Sequence, residues 1–358
     1  MIIHMASDAS TAQQQRVLDR IRQAGFNYEV IHGETGINVI GVLGDTSGIE
    51  ESAFEELEGV AKVTRVTKPY RRVSRKTPAD QKTVRVGDVV VGGPEVVIMA
   101  GPCSVESEQQ LLTVAEYVAG AGLRILRGGA YKPRTSPYSF QGVGLEGLRI
   151  LARARERFGL RIITEATGLH RHVRPDNSLE KKNVLENVIE YADIIQVGAR
   201  NMKSYGFLQE LARLTEKSRT PIMLKRGESS TLRDFLLAAE YIAGRGNPNV
   251  MLCLRGIRTF EDTEYQRYTP DLGAIAVLKR ECNLPVLFDP SHSTGYRESV
   301  YAVSMAAVAA GADGLLVETH NDPSNALCDG EQSVTREQLA RIVQDARKVR
   351  GALSDARH

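Results

Sequence analysis

The sequence predicts a (β/α)8 barrel of the TIM type, preceded by a small α+β domain with βαββαβ order. Three observations carry that expectation. Eight short apolar runs alternate with amphipathic stretches over roughly 250 residues, the span such a barrel needs. Residues 1–70 follow a different order of strand-like and helix-like segments. The chain has 358 residues, 42% of them apolar and 25% charged, which exceeds one average domain and suffices for a large core.

In residues 1–70, the segments MIIHM, YEVIH, INVIGVLG and VAKVTRV read as strands, with helical stretches over 11–24 and 49–57 between them. Val17, Ile21 and Ala24 recur at helical spacing in the first stretch. Gly25, Gly33, Gly36 and Gly44 mark the turns. That order describes a split-βαβ unit. Residues 71–94 then read as a linker and hairpin. The basic segment KPYRRVSRKTPADQK carries two prolines and should lie on the surface of the next domain. TVRV and VVVG, separated by Gly87-Asp88, look like a two-residue hairpin whose apolar positions suit a plug for one barrel end.

From residue 95 onward the apolar runs are VVIMAG, LRILRG, LRIITEA, DIIQVGA, PIMLKRG, VMLCLRG, PVLFDPS and DGLLVET. Helical patterns fall between and after them, over 109–119, 145–157, 232–243, 272–282, 299–310 and 337–349. An open doubly wound sheet is the alternative, but no GxGxxG turn opens the first βα unit.

Charge and cysteine content exclude several function classes. Lys and Arg total 46 against 44 Asp and Glu, a formal charge of +2, so no whole-surface field points to nucleic acid or membrane. Cys103, Cys253, Cys282 and Cys328 are dispersed without a CxxC pair, which argues against a disulfide framework and fits a reducing compartment. With no basic start followed by an apolar run, and no stretch near the ~18 apolar residues of a membrane helix, a cytoplasmic location is expected.

Barrel chemistry sits where the strands end. There the runs offer Cys103, Arg127, Glu165, Arg200, Lys225, Arg255, Asp289 with His292, and Glu318. Any one has a bland explanation, since a cation after a strand is usually solvated and a buried cysteine usually packs as a small apolar group. Together they do not. Four cations converging on one rim repel unless an anion shares the space, so Arg127, Arg200, Lys225 and Arg255 imply a phosphate- or carboxylate-bearing substrate. Cys103, His292, Glu318 and Asp329 form a mixed S, N, O, O set that suits one divalent Mn, Fe, Co or Zn ion better than Ca or Mg.

The segment LRGGAYKPRTSPYSFQG, residues 126–142, is too long for a tight βα connection. Its adjacent glycines permit close backbone approach to a ligand. Lys132-Pro133-Arg134-Thr135 places two cations and a hydroxyl on a stiffened backbone, a cradle for a phosphate.

These motifs resemble type I (beta subgroup) 3-deoxy-D-arabino-heptulosonate-7-phosphate (DAHP) synthases that carry an N-terminal ferredoxin-like regulatory domain. The resemblance rests on GPCSVES, the 126–142 segment, GARNM, LKRG, RGIRTFE, DPSHS, GADG and ALCDGEQS, which span the whole barrel. It implies condensation of phosphoenolpyruvate with erythrose 4-phosphate, the first step of the shikimate pathway. By position it makes Cys103, His292, Glu318 and Asp329 metal ligands. Arg127, Lys132, Arg200, Lys225 and Arg255 would hold phosphoenolpyruvate, with Asp289 beside them, and Arg134 and Thr135 the sugar phosphate. Lys132, Glu165 and His292 are the catalytic candidates, Glu165 near the attacking water and Lys132 an acid toward the aldehyde oxygen. The resemblance also implies a homo-oligomer, a tetramer, with tyrosine or phenylalanine as effector and chorismate mutase as a possible partner. Purely structural packing is the other role for the N-terminal domain.

Two alternatives stay open: a related synthase using another aldose phosphate, and a non-catalytic regulator of a partner such as chorismate mutase. KPRTS favours the four-carbon sugar over the KxNRSS-like pattern of octulosonate-phosphate synthases. About a dozen residues are inserted within ATGLHRHVRPDNSLEKKNVLENV, and His170, Arg171, His172 and Arg174 there suit either a phosphate lid or a solvated loop. Leu254, Lys203-Ser204-Tyr205 and Cys328 also depart from the family's usual residues.

Overall fold

The computed structural model describes residues 1–33, 36–44, 46–65, 68–133, 138–174, 178–260 and 264–355. The chain divides into two compact units, Met1–Arg71 and Arg72–His358.

The first unit contains β1 (Ile2–Met5), α1 (Thr11–Gln23), β2 (Asn27–Gly33), β3 (Gly36–Leu43), α2 (Ser52–Glu55) and β4 (Val60–Thr64). Its sheet order is β2-β3-β1-β4, with antiparallel neighbours throughout. Helix α1 starts where expected because Ser10 and Gln13 form a capping box. Val17 and Ile21 point from it onto Ile3 and Ile40 in a core completed by Phe54. The second helix is shorter than the 49–57 pattern suggests, a single turn after a 3-10 turn at Thr46–Gly48. Glu55, Glu56 and Glu58 crowd its C-terminal end, where the helix dipole disfavours negative charge.

In the second unit the basic linker is bound along the barrel. The Val73 amide donates to Glu240 Oε2 at 3.1 Å, Arg75 N to the Glu281 carbonyl at 3.1 Å and Lys82 N to the Asn283 carbonyl at 2.7 Å. Strands β5 (Val84–Val86) and β6 (Val89–Val91) then pair as an antiparallel hairpin. Val84, Val86 and Val91 pack against Met99, Ile125, Ile163, Met223, Met251, Leu287 and Leu316, inward-facing residues of the barrel strands. The hairpin closes one barrel end.

The barrel strands are β7 (Val97–Gly101), β8 (Ile125–Arg127), β9 (Arg161–Ala166), β10 (Ile194–Val197), β11 (Ile222–Lys225), β12 (Val250–Leu254), β15 (Val286–Phe288) and β16 (Gly314–Glu318). All are parallel, and β16 pairs back onto β7 from Gly314↔Val97 to Glu318↔Gly101, so the sheet is closed rather than open. Around it run α3 (Glu108–Gly120), α4 (Leu145–Phe158), α5 (Val184–Tyr191), α6 (Tyr205–Leu214), α7 (Leu232–Gly244), α8 (Gly273–Glu281), α10 (Arg297–Ala309) and α11 (Arg336–Asp355). The helical patterns named from the sequence do not include α5, α6 or the five-residue helix α9 (Pro290–Thr294), and the strand patterns do not include a short hairpin of β13 (Gly256–Ile257) with β14 (Thr269–Pro270).

Candidate active site

The strand-end residues expected from the sequence converge on one cleft. Arg127, Lys132, Glu165, Arg200, Lys225, Arg255, His292 and Asp329 line it, and Cys103, Asp289 and Glu318 contact members of that group. Arg134 and Thr135 lie outside the described residues. Among the described residues, none from the 168–182 insertion lines the cleft.

Each cation is held by its own device. Arg127 and Lys225 end their strands, are almost fully buried, and pair with Glu318 and Asp289 respectively. Buried cations of this kind survive only with a carboxylate partner. Arg255 lies 4.5 Å over the Tyr268 ring and donates to the His292 carbonyl at 3.1 Å. Its Nε has no hydrogen-bond partner among the described residues. Arg200 is exposed and reaches the Pro133 carbonyl at 3.4 Å. Lys132 bends back to donate to the Cys103 carbonyl at 3.0 Å, with Nζ 3.1 Å from its sulfur.

His292 sits between two carboxylates, Nδ1 2.8 Å from Asp289 Oδ2 and Nε2 3.4 Å from Glu318 Oε1. Asp289 also caps α9 by accepting the His292 amide at 2.8 Å, which sets the imidazole's position from its own backbone. Burial pulls the His292 imidazole down, against the pull of the Asp289 and Glu318 carboxylates toward its charged form. Burial alone would raise Asp289, but His292 and the Lys225 ammonium hold it well below the usual carboxylate range. The same opposition, with His292 and Arg127 against burial, holds Glu318 low.

Two sets of potential metal donors share Asp329: His292, Glu318 and Asp329 form one, Cys103, Cys328 and Asp329 the other, with the donor atoms of each set within 4.8 Å of one another. Thus the four residues expected as ligands meet in one place, joined by Cys328. Cys103 Sγ is 3.1 Å from Asp329 Oδ2 and 2.7 Å from Cys328 Sγ. Burial, then the contact with Cys328, pushes the Cys103 thiol well up, while the same contact pulls Cys328 down. Asp329 has φ of 49°, a left-handed conformation that brings its carboxylate to the centre. A thiol, an imidazole and two carboxylates crowded in a buried pocket are the donor chemistry of a borderline divalent ion.

Sequence reasoning missed several cleft or centre residues, among them Gln196, Gln332, Arg267, Tyr268 and Glu228. Gln196 donates to Glu165 Oε2 at 3.0 Å. Gln332 donates to Glu318 Oε2 and accepts from Arg267 at 3.0 Å, and Arg267 is 3.5 Å from Asp329 Oδ1. Tyr268 supports Arg255. A polar residue inside the apolar run DIIQVGA was a signal for Gln196, whereas the polar stretch holding Arg267 and Tyr268 carried none.

A closed parallel barrel with a cation-ringed cleft over a thiol, imidazole and carboxylate centre defines an enzyme for small anionic substrates. Residues 74–352 match the family model described as DAHP synthetase I family, and residues 1–68 match the DAHP synthase ferredoxin-like domain. The chain belongs to the DAHP synthetase I family. A phospho-2-dehydro-3-deoxyheptonate aldolase of Thermotoga maritima is 44% identical over 315 residues, covering 88% of each chain. The crystal structure of a Thermotoga maritima protein of that name superposes with a TM-score of 0.83 at 39% identity, over 98% of this chain and 97% of the other. A 2-dehydro-3-deoxyphosphooctonate aldolase of Syntrophotalea carbinolica is 31% identical over 74% of this chain and 94% of its own length.

Proposed function

We propose that this enzyme condenses phosphoenolpyruvate with erythrose 4-phosphate to give DAHP and inorganic phosphate, with one divalent Mn, Fe, Co or Zn-class ion bound. The observation that carries the reading is the convergence of Arg127, Lys132, Arg200, Lys225, Arg255 and Arg267 on one cleft directly beside the mixed donor set. Arg127, Lys132, Arg200, Lys225 and Arg255 bind the carboxylate and phosphate of phosphoenolpyruvate. Arg134 and Thr135 take the phosphate of the sugar. Cys103, His292, Glu318 and Asp329 hold the metal, which supplies Lewis-acid polarisation of an aldehyde oxygen when bound.

The chain's own groups then do the following. The cations fix C3 of phosphoenolpyruvate against the aldehyde carbon, so the new C–C bond forms between positioned partners. Lys132 donates a proton to the aldehyde oxygen as it becomes a hydroxyl. Water adds at C2, and Glu165, oriented by Gln196, receives its proton. The C2–O bond to phosphate then breaks as the C2 hydroxyl gives its proton to the departing phosphate, leaving the ketone and inorganic phosphate. Asp289 keeps His292 in one orientation and pairs with the Lys225 ammonium, which fixes that cation at the strand end toward substrate.

The N-terminal unit, by its family, is the place for regulation by tyrosine or phenylalanine, and a homo-tetramer is the expected assembly. Phosphate release from phosphoenolpyruvate with four- and five-carbon aldose phosphates, before and after chelation, tests the reading. Release with erythrose 4-phosphate, lost to chelator and restored by Mn, is expected. Release with arabinose 5-phosphate alone would reassign the sugar.

A further inference from the structure

The 168–182 insertion carries one buried carboxylate, and that carboxylate reaches the loop bearing Lys132. Glu180 is 2% exposed. Its Oε2 accepts from the Tyr131 hydroxyl at 2.7 Å and from Asn187 Nδ2 at 2.7 Å, and its Oε1 accepts from the Leu145 amide at 2.8 Å. Asn187 closes the triangle by donating to the Tyr131 hydroxyl at 3.0 Å. Three elements thereby meet on one side chain: the residue before Lys132, the first amide of α4, and α5.

The arrangement has a reason at each point. Helix α4 begins after Gly144, which has no side chain to cap it, and the Glu180 carboxylate takes that place at the positive end of the helix. A Cβ on Gly144 would lie 2.6 Å from both Glu180 Oε1 and His172 Cδ2, so the backbone there is shaped to the insertion. The insertion itself is a short antiparallel ladder: Val173 bridges Leu179, the Glu180 amide donates to the His172 carbonyl at 2.9 Å, and Val184 N donates to the His170 carbonyl at 2.9 Å. Arg171 and Arg174, which a phosphate lid would present to the cleft, instead donate to the Glu180 carbonyl and the Ser178 hydroxyl. His172 stands edge-on to the Tyr131 ring at 5.2 Å. At its far end the Lys132 loop returns to itself, Lys132 N donating to the Gln141 carbonyl at 3.0 Å and Gly144 N to the Ala130 carbonyl at 3.0 Å.

We infer that Glu180 is a positioning residue for the sugar-phosphate half of the cleft: through Tyr131 and the start of α4 it fixes both ends of the 130–144 loop. The insertion is a brace behind that loop, and its cations do not touch substrate. The inference rests on the functional reading above, because it assigns Lys132 and the residues after it to substrate.

Steady-state kinetics of Glu180→Ala, Glu180→Gln and Tyr131→Phe, with each substrate varied in turn, test it. For Glu180→Ala the KM for erythrose 4-phosphate, whose phosphate is assigned to residues inside the braced loop, should rise about tenfold, with a smaller rise of at most about threefold for phosphoenolpyruvate, four of whose five assigned cations (Arg127, Arg200, Lys225 and Arg255) lie outside that loop. Glu180→Gln retains an acceptor oxygen and should restore most of the loss. Tyr131→Phe should give an intermediate rise of about threefold, and it decides the matter if Glu180→Ala does not fold, since it removes one hydroxyl only. A purely structural role would lower kcat with the folded fraction and leave both KM values unchanged. That result, or equal rises for both substrates, overturns the assignment. If the wild-type enzyme fails to turn over the two substrates, the functional reading falls instead.

Discussion

The sulfurs of Cys103 and Cys328 stand 2.7 Å apart, with Asp329 Oδ2 3.1 Å from the first and 3.5 Å from the second. Little movement separates this contact from a disulfide. Diamide treatment of metal-free enzyme should therefore remove two thiols from the count, and Cys328→Ser should lose none of the remaining three. Burial pushes the Cys253 and Cys282 thiols up to about 12 and about 11, so neither competes as a thiolate. An unchanged thiol count in oxidised wild-type apo-enzyme would contradict the pairing.

Cys103 is one of the two thiols in the donor set and the one proposed as a metal ligand. Replacing it with alanine should reduce the metal retained through gel filtration by at least about tenfold, with the folded state preserved. Elemental analysis of the two proteins makes the comparison. Full retention in the alanine variant would remove Cys103 from the ligand set.

Arg200 and Lys225 are both read as substrate cations, but their surroundings differ. Arg200 is exposed with one long contact to Pro133, so Arg200→Ala should raise the KM for phosphoenolpyruvate at least about tenfold and leave the melting temperature nearly unchanged. Lys225 is buried against Asp289, and Lys225→Met strands that carboxylate at a cost of about 3–5 kcal/mol in stability as well as activity. Denaturant melts paired with kinetics separate the two behaviours.

Gly142 has φ of 90°, and a Cβ there would lie 2.2 Å from the Ala130 carbonyl oxygen. Gly142→Ala should destabilise the 130–144 loop by about 1–3 kcal/mol from backbone strain alone, with more from the collision. Faster proteolysis within the loop than in wild type is the expected readout, and equal rates would show that the loop adapts.

Burial raises the Tyr117 phenol from 10.0 to about 12, against its hydrogen bond with Thr319. Between those values the unfolded chain releases the proton and the native protein keeps it, so the native state binds more protons and stability falls as pH rises. The slope is about 1.4 kcal/mol per pH unit for one such group. Tyr117→Phe should flatten the fall in unfolding free energy between pH 10 and pH 12; a slope identical to wild type would show that other groups dominate.

Each of the eight apolar runs proved to be a barrel strand, because a strand buried on both faces carries an unbroken apolar signature. The residue ending each run then reached the rim by topology alone, so Cys103, Arg127, Lys225 and Glu318 were legible without knowledge of their partners. What escaped was partnership across the chain. Arg267 donates to Gln332, 65 positions away, and Gln332 in turn donates to Glu318, and no local period reports such a chain of contacts. The insertion drew attention through its exposed-looking cations, whereas its buried group is the carboxylate of Glu180, which sequence does not distinguish from Glu186 or Glu190 on the neighbouring helix.

The hairpin of Val84–Val86 and Val89–Val91 belongs to the barrel's interior although it precedes the first barrel strand. A minimal catalyst cut from this chain therefore starts at the linker, not at Val97. Cutting after the hairpin would leave the apolar ends of Met99, Ile125 and Met251 facing water.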